Sequence, residues 1–153
     1  MVIIGFDPGL AILGYGVIEK TGHKIKALEY GVITTDAKTP FPVRLRQLYE
    51  NATLLIMKYK PDAIALEELF YNTNVKTAIS VAQARGALLV AVSNYTDEIY
   101  EFTPLQIKQA LVGYGRAEKG QVQRMVKTVL GLEKEPKPDD AADGLAAAFC
   151  LAN

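Results

Sequence analysis

Apolar residues in the first third of the chain come in short runs, of the kind strands make. VIIGFD (2–7) is continuous, LGYGVIEK (13–20) is interrupted by glycines, and KIKALEYGVITT (24–35) is rich in β-branched residues. These predict three strands, with TGH as the turn between the last two. Over 42–59 the period changes: Val43, Leu45, Leu48, Leu55 and Ile56 fall on one face of a helix. Pro61 closes that helix, and DAIALE predicts a fourth strand. A long helix is expected over 73–94, followed by the strand EIYEF.

Thr103, Pro104 and Gln106 read as an N-cap, an N1 proline and a capping-box partner for a short helix, LQIKQAL, that ends near Gly113. EKGQVQRMVKTVL predicts the next helix, ending near Gly131, and the last runs from Asp140 to Leu151. Three strands, then alternating helix and strand, then helices, describe an α/β fold with a mixed five-stranded sheet flanked by helices.

The 153 residues fit one domain, 1–153, large enough for a substantial core. Half of them are apolar, charged residues make up 22%, and the mean hydropathy is +0.10, as in soluble globular proteins. The apolar stretch 78–92 contains Gln83 and Arg85, which argue against a membrane span. The start, MVIIGFDPG, has neither a basic region nor a small-residue cleavage site, so a cytoplasmic protein is expected. Cys150 lies in AAAFCLA and is expected to be a buried, reduced thiol. His23 lies in the turn KTGHK, a poor place for a hydrolase triad. Seventeen basic residues balance seventeen acidic ones, so a case for nucleic-acid binding must rest on local clustering.

The chemistry is concentrated in the acids. VIIGFD ends in Asp7 and AIALE ends in Glu67. In open α/β sheets ligands bind beyond the carboxyl ends of the strands. If the two strands are parallel neighbours, their ends lie about 5 Å apart, and two carboxylates that close need a shared proton or a cation. Hard oxygen donors without nearby His or Cys favour Mg²⁺ or Mn²⁺. Taken singly, Asp-Pro-Gly is ordinary turn chemistry and Glu67 a solvated strand end.

The joint pattern weighs more, because KPDDAADGLAAAFC adds three aspartates to an otherwise apolar helix. Asp139 is expected to cap that helix, while Asp140 and Asp143, three apart, share one face. Asp7, Glu67, Asp140 and Asp143 would neutralise two divalent cations, and such a site suits in-line displacement at phosphorus by water.

FDPGLAILGYGVI, ALEELF, TPLQIKQALVGYGRAEKGQVQRMV and DDAADGLAAA together resemble the RuvC family of Holliday-junction resolvases, in order and over nearly the whole chain. The resemblance implies an RNase H-like fold, a homodimer, and a Mg²⁺-dependent endonuclease that makes paired, symmetric nicks in four-way DNA junctions during recombination and repair. It implies Asp7, Glu67, Asp140 and Asp143 as catalytic and metal-binding residues, 5′-phosphate and 3′-hydroxyl products, and a RuvA–RuvB branch-migration complex as partner. Glu68 stands where the family commonly has glutamine and should point away from Glu67. Residues 10–13 lack the Ser and Arg that relatives often carry after DPG, so this loop has no cation of its own.

For DNA binding the resemblance favours Phe70 as an aromatic that stacks on a base, against a fold-back into the core. It also favours Lys108, Arg116 and Lys119 as phosphate contacts, against ordinary helix capping and a solvated turn. Lys76 and Arg85 could follow a DNA arm, but they, like Arg124 and Lys127, are expected simply to face water. Two rivals share the fold: a YqgF-like nuclease acting on structured RNA, and a non-catalytic nucleic-acid- or ATP-binding relative. The first tends to lack the segment resembling GYGRAEKGQVQRMV, and the second would need another lobe or a lost acid.

Overall fold

The computed structural model describes residues 1–68, 75–113 and 118–153, without the side chain of Lys119. VIIGFD forms β1 (Val2–Asp7), the middle strand of a five-stranded sheet. It is flanked on one side by β2 (Ile12–Thr21) and then β3 (Lys24–Thr34), both antiparallel. On the other side lie β4 (Ala63–Glu67) and β5 (Ile99–Phe102), both parallel. The order β3-β2-β1-β4-β5 is the mixed sheet expected from the pattern. Gly22, at φ +60°, supplies the left-handed conformation that the two-residue β2–β3 turn demands.

The helices are α1 (Phe41–Tyr59), α2 (Val75–Ser93), α3 (Pro104–Val112), α4 (Lys119–Leu130) and α5 (Asp139–Ala152). Strand alternation sends Ile4, Phe6, Val17, Ile64 and Leu66 to one face, where α1 and α2 cover them with Leu48, Ala52, Ile56, Ala84 and Leu88. Ile3, Ile18 and Ala65 point to the other face, where α3, α4 and α5 pack with Ile107, Val126 and Leu145. Both faces of β1 and β4 are therefore buried, which is why these strands read as unbroken apolar runs.

The helix punctuation follows local chemistry. Thr103 Oγ1 accepts the Gln106 N–H and Gln106 Oε1 accepts the Thr103 N–H, so the capping box predicted for α3 is complete. Gly113 and Gly131 close α3 and α4 in the left-handed conformation. The start of α5 differs from expectation. Pro138, with φ −67° and ψ 177°, occupies the cap position, and Asp139 is already the first helical residue. Asp139 and Asp140 thus lie in the first turn, where the helix dipole favours negative charge. Cys150 is half-buried rather than buried, with its Sγ 3.9 Å from the Gln106 carbonyl oxygen.

A polar cluster ties α1 to the antiparallel side of the sheet. Tyr15 donates to Glu29 at 2.9 Å, Lys58 donates to the other Glu29 oxygen at 2.8 Å, and Tyr59 donates to that same oxygen. Lys58 and Tyr59, helped by Tyr15, hold the Glu29 carboxyl below its ordinary 4.5. Burial, then the bond to Glu29, pushes the Tyr15 phenol up to about 12. The lowered pKa of Glu29 contributes stability that is present above its unfolded value and lost as pH falls through the folded one. The raised pKa of Tyr15 contributes stability that is present below 10 and lost as pH climbs toward about 12. In denaturant titrations across pH, Glu29→Gln should flatten the stability loss below pH 4.5, and Tyr15→Phe should flatten the loss between 10 and about 12. Acid and alkaline limbs identical to wild type would contradict this assignment.

Candidate active site

The parallel pairing of β1 with β4 runs Ile3 with Ala63 through to Phe6 with Leu66. One step further along this register, Asp7 and Glu67 close neighbouring strands. Ile3, Gly5 and Asp7 alternate to the face of α5, and so do Ala65 and Glu67. The two acids thus share an edge and a face.

The closing helix approaches them over glycines of β1 and β2. A Cβ on Gly14 would meet the Asp140 carbonyl oxygen at 1.9 Å, and Gly14 pairs directly with Asp7. The Asp140 backbone therefore stands over the Asp7–Gly14 pair. One turn on, a Cβ on Gly144 would lie 2.6 Å from Tyr15 backbone atoms, and one on Gly5 would meet the Gly144 carbonyl oxygen at 2.1 Å. Four glycines, 5, 14, 16 and 144, let α5 lie backbone against backbone on β1 and β2. Asp140 and Asp143 are both half-buried on this helix, as are Asp7 and Glu67 at the sheet edge.

Asp7 and Glu67 line a recess of about 180 Å³ together with Pro8, Glu68, Val81, Arg85 and Pro104. Carboxylates are the right donors for a hard divalent cation. Among the described residues no three acidic, His or Cys side chains are grouped as a metal site. The fit to a divalent ion rests on the donor chemistry and on the shared edge and face.

Arg85 corrects the expectation that the charges of α2 face water. Its side chain is only 15% exposed, it pairs with Glu101 of β5 at 2.7 Å, and its Nε is buried without a hydrogen-bond partner among the described residues. It places a cation at the recess wall beside the acids. The signal was present in the sequence: Val81, Ala84, Arg85 and Leu88 follow helical spacing, so Arg85 flanks the buried stripe of α2. Lys76 and Arg124 are exposed, as expected, and Lys127 is partly covered.

The four DNA-contact candidates fare differently. Phe70 and Arg116 lie outside the described residues, and Lys119 opens α4 but its side chain is not described. Lys108 is half-exposed on α3, one turn beyond Pro104, which lines the recess; the two residues share a helix face.

Comparison with known proteins gives a consistent picture. The family model for crossover junction endodeoxyribonuclease RuvC matches residues 3–151. A protein of that name from Alkaliphilus oremlandii is 55% identical over 153 residues, covering 100% of this chain and 93% of its own length. The structure of Thermus thermophilus RuvC superposes with a TM-score of 0.89 at 37% identity, covering 99% of this chain and 93% of its own. T. thermophilus RuvC in complex with Holliday junction substrate superposes at 0.90 with 34% identity, at the same coverage. The fold is accordingly RNase H-like, as the sequence resemblance implied.

The contact between α5 and Gly14 predicts its own disruption. Gly14→Ala should lower stability by about 1–3 kcal/mol in chemical denaturation, as overpacking against a backbone that cannot yield generally does. A variant as stable as wild type would show that α5 does not rest on this strand.

Proposed function

The chain belongs to the RuvC family of crossover junction endodeoxyribonucleases, and from this premise we infer that it resolves four-way (Holliday) DNA junctions by phosphodiester hydrolysis. The observation that carries the reading is the meeting of strand-end acids Asp7 and Glu67 with the first turns of α5 at one sheet edge. The fold supports Asp7, Glu67, Asp140 and Asp143 as the catalytic acids and as the ligands of two Mg²⁺ ions, with Mn²⁺ as a substitute. Such ions supply Lewis acidity for water activation and offset charge on the phosphodiester.

The acids' part is to present oxygen donors from packed elements: two from adjacent strands, two from a helix seated on them. Arg85, locked by Glu101, keeps a fixed cation at the recess wall and so tempers the mutual repulsion of the carboxylates. On the family reading, Lys108, Arg116 and Lys119 contact DNA phosphates and Phe70 stacks on an unpaired base. The match to the full chain, including the 118–130 helix segment, favours junction DNA over structured RNA as substrate. An assay of a synthetic four-way junction with Mg²⁺ should give paired nicks with wild type and at least a hundredfold less with Asp7→Asn. Full activity of the variant, or no paired nicking by wild type, would sink the reading.

Two symmetric cuts require two symmetric sites, and α2 supplies a surface for a homodimer. It is long and apolar enough to cross a membrane by length and hydropathy, yet it packs on α1 and the sheet with Ala84, Leu88, Ala91 and Val92. Its opposite side shows Val75, Ile79, Ala82, Gly86 and Val90, all exposed and at helical spacing. Small residues at its centre permit close approach of a second copy of the same helix. Sedimentation should report a dimer for wild type and a monomer for Ile79→Asp combined with Val90→Asp. A wild-type monomer at micromolar concentration would refute the assignment. Docking of a RuvA–RuvB branch-migration complex follows from the family reading alone.

A further inference from the structure

Beside the acidic recess lies a second groove, of about 540 Å³, lined by Gly9, Leu10, Ala11 and Ile12 of the β1–β2 loop, Arg44 of α1, and Lys76, Thr77, Ser80 and Val81 of α2. Val81 borders both cavities, so the groove continues the recess along the same edge. Apart from Arg44 and Lys76 its lining is apolar or hydroxyl-bearing. Neither Arg44 nor Lys76 has an acidic partner among the described residues, where every other feature of the region is either apolar or neutral.

Arg44 is held in place. Thr35, one of the few buried polar residues, donates its hydroxyl to the Leu10 carbonyl at 2.5 Å and its backbone N–H to the Ala11 carbonyl at 3.0 Å. The same hydroxyl oxygen accepts the Nε–H of Arg44 at 2.9 Å. A relay from the loop carbonyl through Thr35 therefore fixes the guanidinium against a loop that has no cation of its own, and its two terminal nitrogens carry no ion pair among the described residues. Arg44 also stands in the first turn of α1, where no acid is present and a cation opposes the helix dipole. Arg44 therefore has no acidic compensation from the first turn of its own helix, only the brace of the Thr35 hydroxyl.

We propose that this groove is a second backbone-phosphate site, in which Arg44, braced by Thr35 and assisted by Lys76, grips the DNA strand as it leaves the catalytic recess. A nucleotide fits both parts of the lining: deoxyribose against Leu10, Ala11 and Val81, and phosphate on the guanidinium fork. The proposal rests on the nucleic-acid reading above but not on junction selectivity, because phosphate contacts carry no sequence or branch information. Arg44 is a positioning residue here; it does not touch the reacting atoms.

The test is fluorescence anisotropy with a labelled four-way junction and, in parallel, a labelled duplex of the same arm sequence, in EDTA over a range of salt. With metal removed, binding is read apart from cleavage. Arg44→Ala should bind both probes roughly tenfold more weakly near 0.1 M salt, and its plot of log K against log salt should be shallower by roughly 0.9, the loss of one phosphate contact. Arg44→Lys should keep the slope. Thr35→Val, which retains the charge but not the brace, should lose roughly threefold on the same phosphate term and add nothing once Arg44 is alanine. Arg46→Ala, an exposed cation two residues away that pairs with Glu50, should leave binding unchanged.

Wild-type slope and affinity in a folded Arg44→Ala would overturn the proposal, as would an equal loss in Arg46→Ala. If wild type binds the junction no better than the duplex, junction selectivity fails, while the Arg44 comparison on the duplex still decides this site.

Discussion

The backbone-to-backbone seating of α5 on β1 and β2 is the contact on which the rest of the structure depends. A helix usually stands off a sheet by the thickness of two side-chain layers. Here Gly5, Gly14 and Gly16 remove one layer and Gly144, amid alanines, removes most of the other. The gain is close packing, and the cost is that a methyl group at any of these positions would overlap the opposing element. Because Asp140 lies at the point of closest approach, over the Asp7–Gly14 pair, the packing geometry is also the site geometry. Stability and the placement of the acids cannot be varied independently.

Electrostatics then explains the arrangement of charge at this edge of the sheet. Asp7, Glu67 and Glu68 line one recess, and carboxylates that close repel each other unless a cation or a shared proton supplies compensation. Part is built in: the N-terminal end of α5 favours Asp139 and Asp140, and Arg85 stands in the recess wall, neutralised on its far side by Glu101. The balance belongs to the divalent cations we assign to the site. Arg44 and Lys76 lie in the groove that continues the recess, where, on our proposal, an approaching phosphodiester meets attraction instead of repulsion. A net charge of zero thus conceals a strongly polarised edge.

Much of this organisation was legible in the residues. Ten elements were readable from period and punctuation, and α3 shows why: Thr103, Pro104 and Gln106 form a cap whose chemistry is local. The misreadings are instructive. Asp139 looked like a cap because acids favour that position, but Pro138 already had the extended backbone the cap requires. Arg85 looked like a solvated helix charge because its partner, Glu101, is on another element and is invisible to helical spacing. Cys150 looked buried because its run is apolar, yet it lies on a flank of α5 that neighbouring helices only half cover.

The sequence by itself determined the element order and the apolar faces, since each depends on residue type and spacing within one segment, and it singled out Asp7, Glu67, Asp140 and Asp143 as candidates. It also carried the family resemblance, because the motifs occur together and in order. Only the tertiary structure decided which strands are neighbours, how closely α5 approaches them, and which cations are paired or left exposed to a ligand. These depend on contacts between residues far apart in the chain. The glycines of LGYGVI read as interruptions of a strand in one dimension, and only in three do they become the surface on which the helix bearing Asp140 and Asp143 rests.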